Sequence, residues 1–183
     1  TISNTGAVTI NGTTEESPGT NVMFMIIRPE RDETSLNNLT TANEAVEDIY
    51  QGEVQADGTF AYSYQLTADA KSGYYLISVK VSGENQKRTQ SVLFQNTKKL
   101  KEAVDLINGG TTSVADVIAV YKDDIDYDTG VLYAGATAEQ KSYVTASVKA
   151  TVTEATLVSQ FKEYTGIALT LLNNAAIEKG DIK

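Results

Sequence analysis

The sequence predicts two parts of different architecture, a β-sandwich over residues 1–96 and a small all-α helical bundle over residues 97–183. Three observations predict this division. Up to Asn96, short apolar runs with a two-residue period alternate with turn residues. Beyond Asn96, apolar residues recur every three to four positions, as on one face of a helix. Finally, 41% of the 183 residues are hydrophobic, which is enough to build a sizeable core.

The first part is predicted to contain six or seven strands. The runs with a strand-like pattern are 6–10, 21–28, 49–55, 59–66, 74–81 and 89–95. Pro29 ends the second run, and Asp57-Gly58 is a tight-turn signal that predicts a hairpin between the third and fourth runs. This number of strands in about 97 residues is typical of an immunoglobulin-like or fibronectin-III-like sandwich. Residues 30–48 instead show three- and four-residue steps, which predict a helical turn or a long ordered loop.

Four helices are predicted in the second part. Thr97 can cap the first helix, and Gly109-Gly110 ends it. The segments Ser113-Val-Ala-Asp116 and Thr137-Ala-Glu-Gln140 have the spacing of capping boxes and open the second and third helices. Thr153 opens the last and longest helix.

The composition excludes several function classes. The chain contains no Cys, His or Trp, so it cannot form a Ser-His-Asp triad, a thiolate nucleophile or a His/Cys metal site. Its net charge of −9 argues against nucleic acid and anionic membrane surfaces as partners. No apolar run is long enough to insert into a membrane. Because the chain begins at Thr1 without a leader-like segment, we expect a processed product or part of a longer protein.

One acidic segment has the spacing of a metal loop. Asp124, Asp126 and Asp128 stand at positions 1, 3 and 5 of a calcium-loop pattern. The glycine comes one residue late, and position 12 is Gly135, which has no side-chain ligand, so the segment is not an EF-hand. The alternative is a solvated acidic junction between a helix and a loop. We therefore expect no cofactor, with calcium as the alternative.

Tyrosines mark a candidate glycan-binding surface. Tyr62, Tyr64 and Tyr74 are clustered on neighbouring predicted strands, where a planar strip could stack on sugar rings. The alternative is cross-strand packing that only stabilises the sheet. No catalytic residue is predicted: carboxylates are abundant, but a small sandwich leaves little room for the deep cleft that a glycosidase needs. We expect a protein that is not an enzyme.

Several segments resemble a module pair found in large secreted Gram-positive bacterial proteins. In the first part they are Ile27-Arg28-Pro29, Ile49-Tyr50-Gln51, 57–62 and 73–79, and in the second an Ala-Val/Leu-Asn helix end followed by Gly or Ala. Such proteins often carry surface-layer homology domains, bacterial Ig-like repeats or carbohydrate-active domains. The resemblance implies a secreted or cell-surface accessory module. It carries over no catalytic residue.

These observations lead to one expected function and one alternative. The expected function is a non-catalytic extracellular accessory module, for spacing, presentation or adhesion, within a secreted or cell-wall-associated multidomain bacterial protein. The alternative is a carbohydrate-binding module of a polysaccharide-degrading enzyme. Neighbouring domains of the same polypeptide are the expected partners, together with neutral glycans, because the net charge of −9 disfavours acidic polysaccharides.

Overall fold

A computed structural model describes residues 1–29 and 44–180. The chain divides into two compact units, Thr1–Phe94 and Gln95–Lys183, here called the β unit and the helical unit. Each unit has its own cluster of buried apolar side chains. The helical turn or ordered loop predicted for residues 30–48 falls mostly on 30–43, outside the described residues. Its last five residues, 44–48, are not helical, because they begin a strand.

The described part of the β unit forms two antiparallel sheets. Its strands are β1 Ala7–Thr13, β2 Asn21–Pro29, β3 Glu44–Glu53, β4 Thr59–Gln65, β5 Gly73–Val81 and β6 Arg88–Phe94. One sheet pairs β1 with β4, and the other has the order β3-β2-β5-β6. The strand β2 is hydrogen-bonded on both edges, to β3 and to β5. Its residues Val22, Phe24 and Ile26 are 0% exposed and belong to the core of the unit.

The predicted immunoglobulin-like or fibronectin-III-like β-sandwich is wrong. Within residues 1–29 and 44–94, the strands form a sheet of two and a sheet of four. The predicted hairpin is also absent, because β3 pairs with β2 whereas β4 pairs with β1. The chain does turn at Asp57-Gly58, where Gln55 N donates to Thr59 O at 2.8 Å. This turn joins strands of different sheets, since a local turn signal does not determine which distant strand becomes the partner.

The helical unit has five helices in its described part, not the predicted four. They are α1 Thr97–Gly109, α2 Val114–Ile125, α3 Tyr127–Ala134, α4 Ala138–Ser147 and α5 Glu154–Gly180. The additional helix is α3. Asp126 caps it by accepting a hydrogen bond from Thr129 N at 3.1 Å. Two of the acidic residues that suggested a metal loop, Asp126 and Asp128, therefore begin a helix.

Most of the predicted helix ends are confirmed. Thr137 and Gln140 form the reciprocal bonds of a capping box at α4, and Ser113 caps α2 by accepting from Asp116 N. Gly110 has a φ of 67°, the left-handed conformation that ends α1. The N-cap of α1 differs by one residue. It is Asn96, whose side chain accepts from the amides of the second and third helical residues.

A side-chain amide connects the beginning of the helical unit to the corner between α2 and α3. Gln95 Nε2 donates to the carbonyl oxygens of Asp123 and Asp124, at 3.0 and 2.7 Å. Gln95 Oε1 accepts from Tyr127 N at 3.1 Å. One side chain thus satisfies two carbonyls at the end of α2 and an amide at the beginning of α3.

Candidate functional site

A cluster of aromatic rings joins the edge strand β3 to β4. Tyr50 lies opposite Phe24 in the β2–β3 register, on the side of the sheet that faces the core. Its ring stacks on that of Tyr62, with centroids 4.4 Å apart and an interplanar angle of 8°. Phe24 packs beneath both rings, at 6.2 Å from Tyr50 and 5.4 Å from Tyr62. Although Phe24 is completely buried, Tyr50 is 46% exposed, so the stack opens onto solvent.

The hydroxyl of Tyr62 is fixed by a carboxylate. Tyr62 Oη donates a hydrogen bond to Asp48 Oδ2, across from β4 to β3. Burial, with smaller effects from this bond and from the Asp48 charge, raises the pKa of Tyr62 to about 12. The phenol therefore stays protonated, and Tyr62 holds Tyr50 and Asp48 in a defined arrangement.

Tyr64 brings a second carboxylate into the same surface. Burial raises the pKa of Tyr64, and the negative charges of Glu47 and Asp48 raise it further. Glu47 precedes Asp48 in β3, at the point where the register with β2 shifts between Ile26 and Ile27, so the two carboxylates occupy neighbouring positions of this edge strand. We call the group of Tyr50, Tyr62, Tyr64, Asp48 and Glu47 the tyrosine surface.

The structure brings together two of the three predicted tyrosines. Tyr62 and Tyr64 share one face of β4, where both are half-buried. Tyr74 is on β5, in the other sheet, and alternates with Tyr75, which is 0% exposed in the core. Tyr74 thus lies on the opposite face of its sheet and is not part of the tyrosine surface.

Tyr50 has the most open ring of the tyrosine surface, but it was not among the tyrosines predicted to bind glycans. Its only signal was its position within the Ile49-Tyr50-Gln51 run. The stacking on Tyr62 depends on the register of two different sheets, which no local pattern specifies.

The three aspartates of the predicted calcium loop lie at helix ends. Asp124 is in the last turn of α2, Asp126 is the N-cap of α3, and Asp128 is in its first turn. The Asp126 carboxylate accepts from Thr129 Oγ1 at 2.6 Å and pairs with Lys162 Nζ at 2.8 Å. Burial opposes ionisation of Asp126, but Lys162 and Thr129 outweigh it and lower the pKa. Across the described ranges, no group of three acidic side chains is arranged to hold a metal ion. Calcium binding stays a prediction.

The β unit also has an acidic depression, in which one glutamate is already bonded to its neighbours. It is lined by Thr13, Thr14, Glu15, Glu16, Glu84 and Arg88. Glu84 accepts from Thr14 Oγ1 at 2.8 Å and pairs with Arg88 at 3.3 Å. Since the Glu84 carboxylate is already bonded to Thr14 and paired with Arg88, the tyrosine surface, with its exposed ring, is the stronger candidate for ligand binding.

Comparisons with known proteins do not assign the chain to a family. No protein-family profile and no curated protein matches it. Among solved structures, it is similar to an LPMO from Kitasatospora papulosa, with 11% sequence identity and a TM-score of 0.32. The match covers 49% of this chain and 46% of that chain, so it spans less than half of that protein. A TM-score of this size does not establish a shared fold. Within the described ranges, no helix has both the length and the apolar character needed to cross a bilayer.

Proposed function

We propose that the chain is a non-catalytic extracellular accessory module that binds glycans through its tyrosine surface. In this proposal it belongs to a secreted or cell-wall-associated multidomain bacterial protein. The observation that carries the binding function is the Tyr50 ring, which is 46% exposed and stacked on Tyr62. The C–H face of a sugar ring packs on an aromatic face of this kind.

The geometry favours ligand binding because the ring of Tyr50 is already held in place. Tyr62 supports Tyr50 from one side at 4.4 Å, and Asp48 anchors Tyr62 through its hydroxyl. Binding therefore orders few additional side chains, which reduces its entropic cost. The carboxylates of Asp48 and Glu47 can accept hydrogen bonds from sugar hydroxyls beside the ring. An apolar face with a few convergent polar groups is typical of ligand sites.

The extracellular part of the proposal is supported by sequence resemblance. The segments Ile49-Tyr50-Gln51 and Gly73–Val79 resemble modules of secreted Gram-positive proteins. The first of these segments contributes Tyr50 itself. Spacing between neighbouring domains is the competing role, and it requires no ligand.

Calorimetric titration of the full chain with neutral hexasaccharides of glucose, xylose and N-acetylglucosamine tests the binding function. We expect at least one of them to bind. Tyr50→Ala should weaken that binding about two- to tenfold, the value of one aromatic contact, whereas Tyr50→Phe should retain it. Tyr143→Ala is the matched control, because Tyr143 of α4 is 39% exposed and lies in the helical unit.

Two outcomes would contradict the proposal. If neither these hexasaccharides nor the glucosamine hexasaccharide binds at millimolar concentration, or if Tyr50→Ala binds like the unmodified chain, the tyrosine surface is not a glycan site. Mass spectrometry of the same incubations tests the non-catalytic role. Shortened or oxidised oligosaccharides would show that the chain is an enzyme.

A further inference from the structure

We propose that the tyrosine surface prefers sugars with a free amino group, which carry an ammonium charge, over their neutral counterparts. This inference rests on the proposed glycan binding and adds the charge of the ligand. It follows from the two carboxylates that accompany the aromatic stack.

One carboxylate is bonded to a tyrosine hydroxyl of the surface, and the other belongs to the preceding residue of β3. Asp48 accepts the hydrogen bond of Tyr62, and the charges of Asp48 and Glu47 both act on Tyr64. Each carboxylate is half-buried rather than fully solvated. Among the ion pairs between described residues, none involves either carboxylate. The surface therefore presents two negative charges without a described cationic partner.

An ammonium group would gain two interactions at this surface. It would be attracted to the carboxylates, and it would also be attracted to the electron-rich face of a tyrosine ring. A neutral acetamido or hydroxyl group in the same position gains neither charge-based interaction. An acidic sugar would be repelled. The tyrosine surface would thus bind cationic sugars most tightly, neutral sugars less tightly and anionic sugars most weakly.

The experiment compares β-1,4-linked hexasaccharides of glucosamine, N-acetylglucosamine and glucose, titrated against the full chain. It is carried out at about pH 6, below the usual pKa of an amine of this type, so that glucosamine is charged. We expect the glucosamine oligomer to bind about fivefold more tightly, the effect of one exposed ion pair. The advantage should shrink in about 0.5 M salt, which screens exposed charges.

Three variants test which carboxylate produces the preference for glucosamine. Asp48→Asn keeps an oxygen that can accept from Tyr62 but removes the charge, so it should bring the ratio of glucosamine affinity to glucose affinity close to one, whatever its effect on the neutral oligomers. Glu47→Gln should reduce the preference. Glu53→Gln is the control, because Glu53 is an exposed residue of β3 whose side chain alternates to the other face from Asp48. It should have no effect, and thermal melting should show that all three variants are folded.

The outcomes separate this inference from the proposed function. If neutral oligomers bind through Tyr50 but glucosamine gains nothing, the charge preference is wrong and glycan binding stands. If glucosamine binds equally well to Tyr50→Ala, or loses affinity equally with Glu53→Gln, the attraction is to the general negative charge and the inference fails. If no oligomer binds, the proposed function fails, and the inference fails with it.

Discussion

Replacing Gly12 with alanine should destabilise the β unit, because the Phe60 ring occupies the place of the new methyl group. Gly12 of β1 is the register partner of Phe60 in β4. A Cβ atom on Gly12 would lie 2.2 Å from Cζ and 2.4 Å from Cε2 of that ring. Carbon atoms in contact are about 3.5–4.0 Å apart. The ring would therefore have to move by roughly 1.3 Å, from 2.2 Å to about 3.5 Å.

Phe60 has little freedom to make this movement. It is 3% exposed, and its ring packs edge-on against Phe24 with centroids 5.9 Å apart. Overfilling a packed core in this way costs about 1–3 kcal/mol of unfolding free energy. In a unit of this size, the midpoint of thermal unfolding should fall by about 4 °C or more. Gly109→Ala in α1 is the control. Apart from its chain neighbours and the backbone of its own helix, no atom lies within 4 Å of its Cβ position, so its effect should be neutral or stabilising.

The measurement is urea unfolding followed by far-UV circular dichroism and by tyrosine fluorescence, since the chain has ten Tyr and no Trp. Phe60→Leu removes the ring atoms that the methyl group would meet. The double variant Gly12→Ala/Phe60→Leu should therefore be at least about 1 kcal/mol more stable than the sum of the single effects predicts. Strict additivity, or a Gly12→Ala variant as stable as the unmodified chain, would refute the reasoning.

Two further predictions concern the helical unit. Asp126 has a folded-state pKa below its usual 3.8, so its stabilising contribution is present above about pH 4 and is lost as the pH falls through the lowered pKa. Asp126→Asn keeps a capping residue but loses the Lys162 ion pair. Urea unfolding should show up to about 1 kcal/mol lower stability at pH 7 and a smaller difference as the pH falls below about 4, and a loss that does not change with pH would contradict this. Gln95→Ala should cost about 2–3 kcal/mol, because it removes three hydrogen bonds, and faster hydrogen exchange at the α2–α3 corner would confirm it. Gln95→Glu should also destabilise, because a carboxylate cannot donate to the two carbonyls.

Helix ends could be predicted because their interactions are local. The capping box of Thr137 and Gln140 needs only residues three positions apart, so the sequence contains the whole motif. The same holds for Ser113 and for Gly110, whose left-handed φ of 67° suits glycine. The helix α3 was missed because its first turn is acidic. Asp126 is an ordinary helix cap, but the neighbouring aspartates gave the segment the appearance of a metal loop.

Strand partners could not be predicted, because they depend on contacts between distant segments. The period-two pattern of β4 identifies a strand with one buried face, but any strand with a complementary apolar face could pair with it. Val8 and Ile10 of β1 provide that face, and both are buried in the core. The turn at Asp57-Gly58 is compatible with a hairpin or with a connection between sheets.

The separation of β3 and β4 into different sheets is what creates the tyrosine surface. In a two-residue hairpin at Asp57-Gly58, Tyr62 would lie beside Glu53, and Tyr50 would be displaced along the partner strand. Instead, β4 pairs with β1, and the ring of Tyr62 meets that of Tyr50 face to face. Phe24 contacts both rings from the core, so the site and the packing between the sheets share a side chain. It follows that a change that detaches β4 from β1 would remove the stack while every residue of the site remained in the chain.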